Sequence, residues 1–282
     1  MKLSWKQFEL NFTKKTCVMG IINTTPDSFS EGGADLEPSR AVEHALRMVE
    51  EGADILDIGG ESSRPGSDPV TAEEEIRRTM PVIEALAKKT VVPLSIDTCK
   101  AAVARRALDA GASIINDISG LRSDPGMMEL AASAGVPVVI MHMKGTPKSM
   151  QVNPVYEDLI AEILAYFRDS IRLATRAGIS EEMIILDPGI GFGKTFDHNL
   201  RIINRLDAFR QLGRPILVGP SRKAFIGKIL GNAPPAQRLE GTAAVVAASI
   251  LRGADIIRVH DVREMAKVAR VADAIKQERV PE

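Results

Sequence analysis

Cysteine, net charge and long apolar runs are all scarce in this chain. Of its 282 residues only two are cysteine, Cys17 and Cys99, and they form no C-x-x-C pair. That spacing excludes a disulfide framework and a structural zinc site, and suits two reduced thiols in a reducing compartment. The 36 Lys and Arg nearly cancel the 37 Asp and Glu, leaving a formal charge of −1. With no overall field to draw in nucleic acid or an anionic membrane, any bound anion must be held by local groups. The longest nearly apolar run, Thr242 to Leu251, is far short of the ~20 residues needed to cross a bilayer. Met1 to Leu10 interleaves Lys2, Trp5, Lys6 and Glu9 and has no apolar stretch of the signal-peptide kind, so a cytoplasmic location is expected.

What remains is the balance of an ordinary globular protein, 45% apolar and 26% charged, and long enough to bury a sizeable core. Short β-branched or apolar runs alternate with helical patterns from end to end. The expected strands are Cys17–Asn23, Asp54–Gly59, Pro93–Asp97, Ser113–Asp117, Pro137–His142, Met183–Asp187, Pro215–Gly219 and Asp255–His260. Their nearly unbroken apolar character is that of strands covered on both faces. The expected helices fill 38–51, 72–89, 99–110, 125–134, 155–177, 197–212, 235–252 and 262–278. Thr71 and Glu74 have the spacing of a capping box opening the second of these. Gly52, Gly111, Gly135, Gly178, Gly213 and Gly253 each follow a helical pattern and precede a strand, the place of a left-handed C′ residue.

Strict alternation implies an α/β protein with a parallel sheet, and eight is a number that closes it. The expected fold is a (βα)8 TIM barrel, one domain over residues 1–282 with its core at about 17–278. No linker or low-complexity tract interrupts it.

The residues just after the strands are more telling. Asn23, Asp97, Asn116, Asp187, Ser221-Arg222-Lys223 and Arg258-Val259-His260 all fall at such ends, as do the Gly-bounded stretches Thr24–Gly33 and Gly59–Gly66. In a barrel these loops share one face, where such folds keep their active sites. Taken singly the residues have plainer readings. Asp97 could be a helix N-cap, Arg258 and His260 could pair with Asp261 or another core carboxylate, and Lys223 could be a solvated lysine at a helix start. Gly189-Ile-Gly-Phe-Gly-Lys-Thr195 imitates a phosphate loop, but the pattern needs glycine where Pro188 stands.

Several stretches have the wording of a known family. Met19-Gly-Ile-Ile-Asn-Thr-Thr-Pro-Asp-Ser-Phe-Ser-Glu-Gly-Gly33 and Asp57-Ile-Gly-Gly-Glu-Ser-Ser-Arg-Pro-Gly66 resemble the first two signatures of the dihydropteroate synthases. Ser95-Ile-Asp-Thr, Ile114-Ile-Asn-Asp, Ile140-Met-His-Met, Leu186-Asp-Pro-Gly-Ile-Gly-Phe-Gly-Lys194, Ser221-Arg-Lys and Ile257-Arg-Val-His-Asp261 follow in the same order. The resemblance covers about residues 17–270 and implies an enzyme joining 7,8-dihydropterin-6-ylmethyl diphosphate to 4-aminobenzoate. It further implies Mg²⁺, a homodimer and sulfonamide inhibition. By matching position, Asn23 is associated with the metal, and Ser63 and Arg64 with the diphosphate. Asp97, Asn116, Asp187 and Lys223 belong to the pterin-contacting set, and Arg258 and His260 form an anion-binding pair. Asp27, Phe29, Pro65 and Ser221 lie with the substrates, the last three near the aminobenzoate. Arg64, Lys223, Arg258 and His260 are the expected catalytic residues, with Arg64, Arg258 and His260 supplying positive charge at the leaving anion. Ser63 stands where the family commonly has Thr, Glu31 where it has Asp, and Pro220 is an unusual neighbour for Ser221.

Competing readings are a methyltetrahydrofolate-dependent methyltransferase, which would have no use for Ser63-Arg64 or the Arg258/His260 pair, a non-catalytic pterin-binding paralogue, and a Schiff-base aldolase using Lys223.

Overall fold

A computed structural model describes residues 1–25, 37–62 and 66–280. Asp27, Phe29, Ser63, Arg64 and Pro65 therefore lie outside the described residues. The chain opens with an antiparallel pair, β1 (Lys2–Trp5) and β2 (Phe8–Asn11). It then alternates β3 (Cys17–Asn23), α1 (Glu37–Glu50), β4 (Ile55–Gly59), α2 (Ala72–Ala87), β5 (Leu94–Asp97), α3 (Ala101–Ala110), β6 (Ile114–Asp117) and α4 (Gly126–Ala134). The second half runs β7 (Val138–Met141), α5 (Leu159–Arg176), β8 (Ile184–Asp187), α6 (Phe196–Asn204), β9 (Leu217–Val218), α7 (Ala224–Ile229), α8 (Leu239–Leu251), β10 (Ile256–Val259) and α9 (Val262–Gln277).

The strands β3 to β10 pair in parallel in the order β8-β7-β6-β5-β4-β3-β10-β9. A single parallel bridge, Leu186 with Ile216, joins the two ends and closes the expected barrel. The closing strand β9 is only two residues long, cut short between Pro215 and Gly219-Pro220. Side chains compensate there, since the Ile216 N–H donates to the Asp255 carboxylate at 2.9 Å. Ile55, Leu56, Ile58, Ile114, Ile115, Ile184, Ile185, Ile256 and Ile257 are completely buried, so the strands are covered on both faces as their composition requires.

All eight expected strands form, each within two residues of its expected limits. Elsewhere the chain departs from expectation for local reasons. The β1–β2 pair was not anticipated, because its alternation spans only a few residues. Its inward side chains Leu3, Trp5 and Leu10 join the core. The expected helix over 197–212 divides into α6 and a 3-10 segment, Leu206–Leu212. Helix α5 starts at 159 rather than 155, where the Asp158 carboxylate accepts from Ile160 and Ala161 N–H at 3.1 Å. Thr71 does accept from Glu74 N–H at 3.2 Å, but the capping box is one-sided: Glu74 turns to Arg77 and Arg78 instead.

All six junction glycines take positive φ, and at Gly111 the reason is visible. Its φ of 118° is left-handed, and a Cβ there would meet Ala87 Cβ at 2.6 Å across the packed ends of α2 and α3. Gly111→Ala combines backbone strain with a clash, so it should cost about 2 kcal/mol and lower the thermal midpoint by several degrees. A thermal melt followed by circular dichroism checks this.

Candidate active site

Parallel register brings the polar residues into tiers at the C-terminal ends of the strands. Asn23 pairs with Gly59, Gly59 with Asp97 and Asp97 with Asn116, placing four positions of β3 to β6 side by side. Gly59 lies against Asp97, its Cβ position being 3.5 Å from Asp97 Cβ, an ordinary packing distance. Asp187 closes β8, Ser221 and Lys223 follow β9, and Arg258 and His260 come from β10 and the residue after it. All the described candidates thus gather at one mouth.

At its centre lies Arg258. Its Nε donates to Asp57 at 2.5 Å and its terminal nitrogen to Asp97 at 2.6 Å. Although burial disfavours its charge, Asp57 and Asp97 outweigh this and hold the guanidinium above its ordinary pKa. Burial pushes Asp97 up to about 7 despite the attraction of Arg258, with Asp57, Glu75 and Asp117 adding to the rise. The pairing of Arg258 with core carboxylates, weighed as an alternative from the sequence, is what these residues do. Asp261 is engaged elsewhere, accepting from Arg222 Nε at 3.0 Å and from its terminal nitrogen.

Asp187 is raised by burial, against the Gly189 N–H that its Oδ1 accepts at 2.7 Å and the charges of Lys223, Lys194 and Arg258. Lys223 reaches over the Phe192 ring, 4.4 Å from its centroid, and caps α7 with extended backbone. His260 Nδ1 lies 2.9 Å from the Ser221 hydroxyl. Burial, then the charges of Arg258 and Arg222, lower the imidazole to about 3, so at neutral pH it is uncharged. In that form the ring can donate a hydrogen bond without adding a cation.

Among the described residues, no group of three or more His, Cys, Asp or Glu is placed to hold a metal ion. Asn23, half-buried at the end of β3, offers a neutral amide oxygen whose side chain has no hydrogen-bond partner among the described residues. One neutral oxygen fits a Mg²⁺ ion that takes its other ligands from substrate oxygens and water.

The chain that carries these acceptors and cations at the mouth of a closed barrel is similar to known proteins over nearly its whole length. The family model described as "Pterin binding enzyme" matches residues 19–260. The dihydropteroate synthase of Synechocystis sp. is 49% identical over 262 residues, covering 93% of this chain and 91% of that protein. The chain belongs to the dihydropteroate synthase family. A crystal structure of the Yersinia pestis family member in complex with a sulfonamide drug superposes with a TM-score of 0.93 at 44% identity, covering 98% of this chain and 100% of that one. The Xanthomonas albilineans member with 4-aminobenzoic acid gives 0.92 at 44% identity, with 99% of each chain covered.

Two residues in this family member's mouth escaped the sequence reading. Asp57 is fully buried in the middle of β4 and binds both Arg258 and Asn116. A carboxylate between Leu56 and Ile58 was the available signal. Lys194, set aside with the phosphate-loop imitation, is almost fully buried. Its Nζ donates to the Phe192 carbonyl at 2.9 Å and the His142 carbonyl at 3.2 Å, and it lies 3.0 Å from His142 Nδ1. Burial, then the charge of Lys194, lowers His142 to about 2. The neutral ring can therefore accept from the lysine, which ties the glycine-rich turn after Asp187 to the end of β7.

Burial and the charge of Arg258 lower Lys223 from 10.5 to about 8, against the pull of Asp187 and Asp97. A depressed lysine pKa means that folding favours the neutral amine. The favourable contribution exists above the unfolded pKa and is lost as the pH falls through about 8. Lys223→Met should therefore melt several degrees higher than the parent at pH 7. The gain should shrink as the pH rises from 8 toward 10.5, and melts across that range measure it.

Proposed function

We propose that this chain condenses 7,8-dihydropterin-6-ylmethyl diphosphate with 4-aminobenzoate to form 7,8-dihydropteroate and pyrophosphate. The observation that carries this is the grouping of Asp97, Asn116, Asp187, Lys223 and Arg258 at one end of the barrel. A pterin ring presents a 2-amino group and N3–H as adjacent donors, which a single buried carboxylate takes as two parallel hydrogen bonds. Asp187 is assigned that role. Asn116 and Asp97 take further ring nitrogens, and Lys223 donates to the ring oxygen or N5. Leaving any of these buried groups unpaired costs about 1–3 kcal/mol, which selects for this heterocycle.

The bond between the exocyclic methylene and the diphosphate oxygen then breaks, its electron pair leaving with the oxygen. The methylene carbon becomes a cation delocalised into the ring. The amine of 4-aminobenzoate closes a carbon–nitrogen bond and releases its proton, so no protein nucleophile is needed. Negative charge grows on the leaving diphosphate, where Arg64, Arg258 and the His260–Ser221 pair are assigned, with Ser63 beside Arg64. Phe29 and Pro65 are assigned to the aminobenzoate ring, and Asp27 to substrate binding in the same segment. The structure of the Xanthomonas albilineans enzyme with 4-aminobenzoic acid supports that substrate. Mg²⁺, held through Asn23, supplies neutralisation of the leaving anion when bound.

The assigned compartment is the cytoplasm; among the described residues no helix is long and apolar enough to cross a membrane. The assigned assembly is a homodimer. In its support, Glu240 is the only charged residue of α8, Leu251 is exposed at its C-terminal end, and Ile229 and Leu230 are exposed at the end of α7 beside its first turn. Sedimentation at micromolar concentration distinguishes dimer from monomer.

Incubation with both substrates and Mg²⁺ should release pyrophosphate only when the amine is present, and chelation should abolish the release until Mg²⁺ is restored. Asp187→Ala should abolish pterin binding in calorimetry while leaving the circular dichroism spectrum intact; undiminished affinity would remove Asp187 from the site. Arg64→Ala should lower turnover by about 100-fold or more and weaken diphosphate affinity, as loss of a charge-stabilising donor does. Wild-type kinetics would reject its assignment.

A further inference from the structure

Asp57 has no place in the roles assigned so far, yet it is connected to two residues that have one. It lies within β4, level with Ser95 of β5, which in turn is level with Ile114 of β6. Asn116 therefore stands one tier nearer the mouth than Asp57. One oxygen of Asp57 accepts from Asn116 Nδ2 at 3.0 Å and from Arg258 Nε at 2.5 Å. Its other oxygen is sealed in without a partner among the described residues. An apolar side chain matching Ile55, Leu56 and Ile58 would avoid that unpaired atom. Packing alone does not account for a carboxylate here.

The bonds it makes do have a chemical consequence. An oxygen already taking a guanidinium N–H can only accept, so it can face only the NH2 end of the Asn116 amide. The amide oxygen must then point the other way, toward the tier of the mouth. There it accepts no hydrogen bond among the described residues and, unlike the second oxygen of Asp57, it is not sealed in. Without a partner below, the amide could rotate by half a turn and offer a donor in place of an acceptor.

We propose that Asp57 is a positioning residue that sets the polarity of the pterin pocket by fixing the Asn116 amide with its oxygen toward the ligand. Asn116 then joins Asp187 and Asp97 as an acceptor, and the pocket favours rings rich in N–H donors over rings with carbonyl oxygens at the same positions. This rests on the pterin-binding reading above. Arg258 reinforces the arrangement from β10, on the far side of β3. It starts level with Met19 and reaches past β3 to the same Asp57 oxygen and to Asp97, so neither carboxylate can turn away.

The test compares two ligands, 6-hydroxymethyl-7,8-dihydropterin and its 2-oxo counterpart, by titration calorimetry on the full chain. The parent should prefer the 2-amino ring by about 100-fold or more, within the roughly 10⁴-fold that a site built to hydrogen-bond a substrate N–H can reach. Asp57→Ala should cut that ratio by about tenfold, chiefly through improved binding of the 2-oxo ring. Asp57→Asn, whose carbonyl oxygen can still take the Asn116 N–H, should restore most of it. Equal weakening of both ligands in Asp57→Ala, with the ratio kept, would overturn the positioning role, because general loosening of the pocket has that effect. Should Asp57→Ala fail to fold, the Asn116 side-chain amide of the parent decides. Its protons should be shifted downfield and exchange slowly in nitrogen-15 spectra, and solvent-like exchange would overturn the proposal. Absence of pterin binding by the parent would instead overturn the functional reading beneath it.

Discussion

A guanidinium held between two carboxylates inside a barrel is the constraint on which the site depends. Arg258 would be costly to bury alone, and so would Asp57 and Asp97. Together they draw β10, β4 and β5 into one electrostatic unit. Two acids and one base leave the unit one negative charge in excess when all are ionised. Burial raises the pKa of Asp97, and the charge of Asp57 adds to the rise against the pull of Arg258. The rest of the mouth is built around it: Asn116 anchors to Asp57, while Lys223 and Asp187 feel the charge of Arg258.

Stability and binding therefore pull against one another at this end of the molecule. Asp97, Lys223 and His260 all have pKa values displaced toward their neutral forms by burial, the signature of groups held away from water without full compensation. In the barrel below them, isoleucine and valine meet no such conflict. The division follows the direction of the parallel strands, which carry apolar residues through the body of the barrel and polar ones only as they emerge.

That division was largely readable from the sequence. Continuous β-branched runs ending in Asp, Asn, Arg or His mark strands and the end of the barrel they point toward, and the glycine before six of the strands marks where a helix stops. Local chemistry carries both signals. The pairings were not readable, because they are made by the closed barrel. Arg258 and Asp57 are separated by 201 residues, and nothing near either one names the other. Asp57 was therefore passed over. The lowered pKa of His260 has the same origin, since burial and then the charges of Arg258 and Arg222 arise only in the folded chain. Glu74 illustrates the same limit at short range, its spacing suiting a capping box while two arginines one turn along claim the carboxylate.

The closure of the barrel by one bridge between Leu186 and Ile216 has a bearing on what a ligand does for the fold. The seam is thin where β8 delivers Asp187 and β9 leads into Ser221 and Lys223. On the proposed assignment of Asp187 and Lys223 to the pterin, a flat ring gripped from both sides of that seam would supply the lateral fastening that a two-residue strand lacks. Occupancy would then act as a rivet along the line where the barrel is most thinly joined.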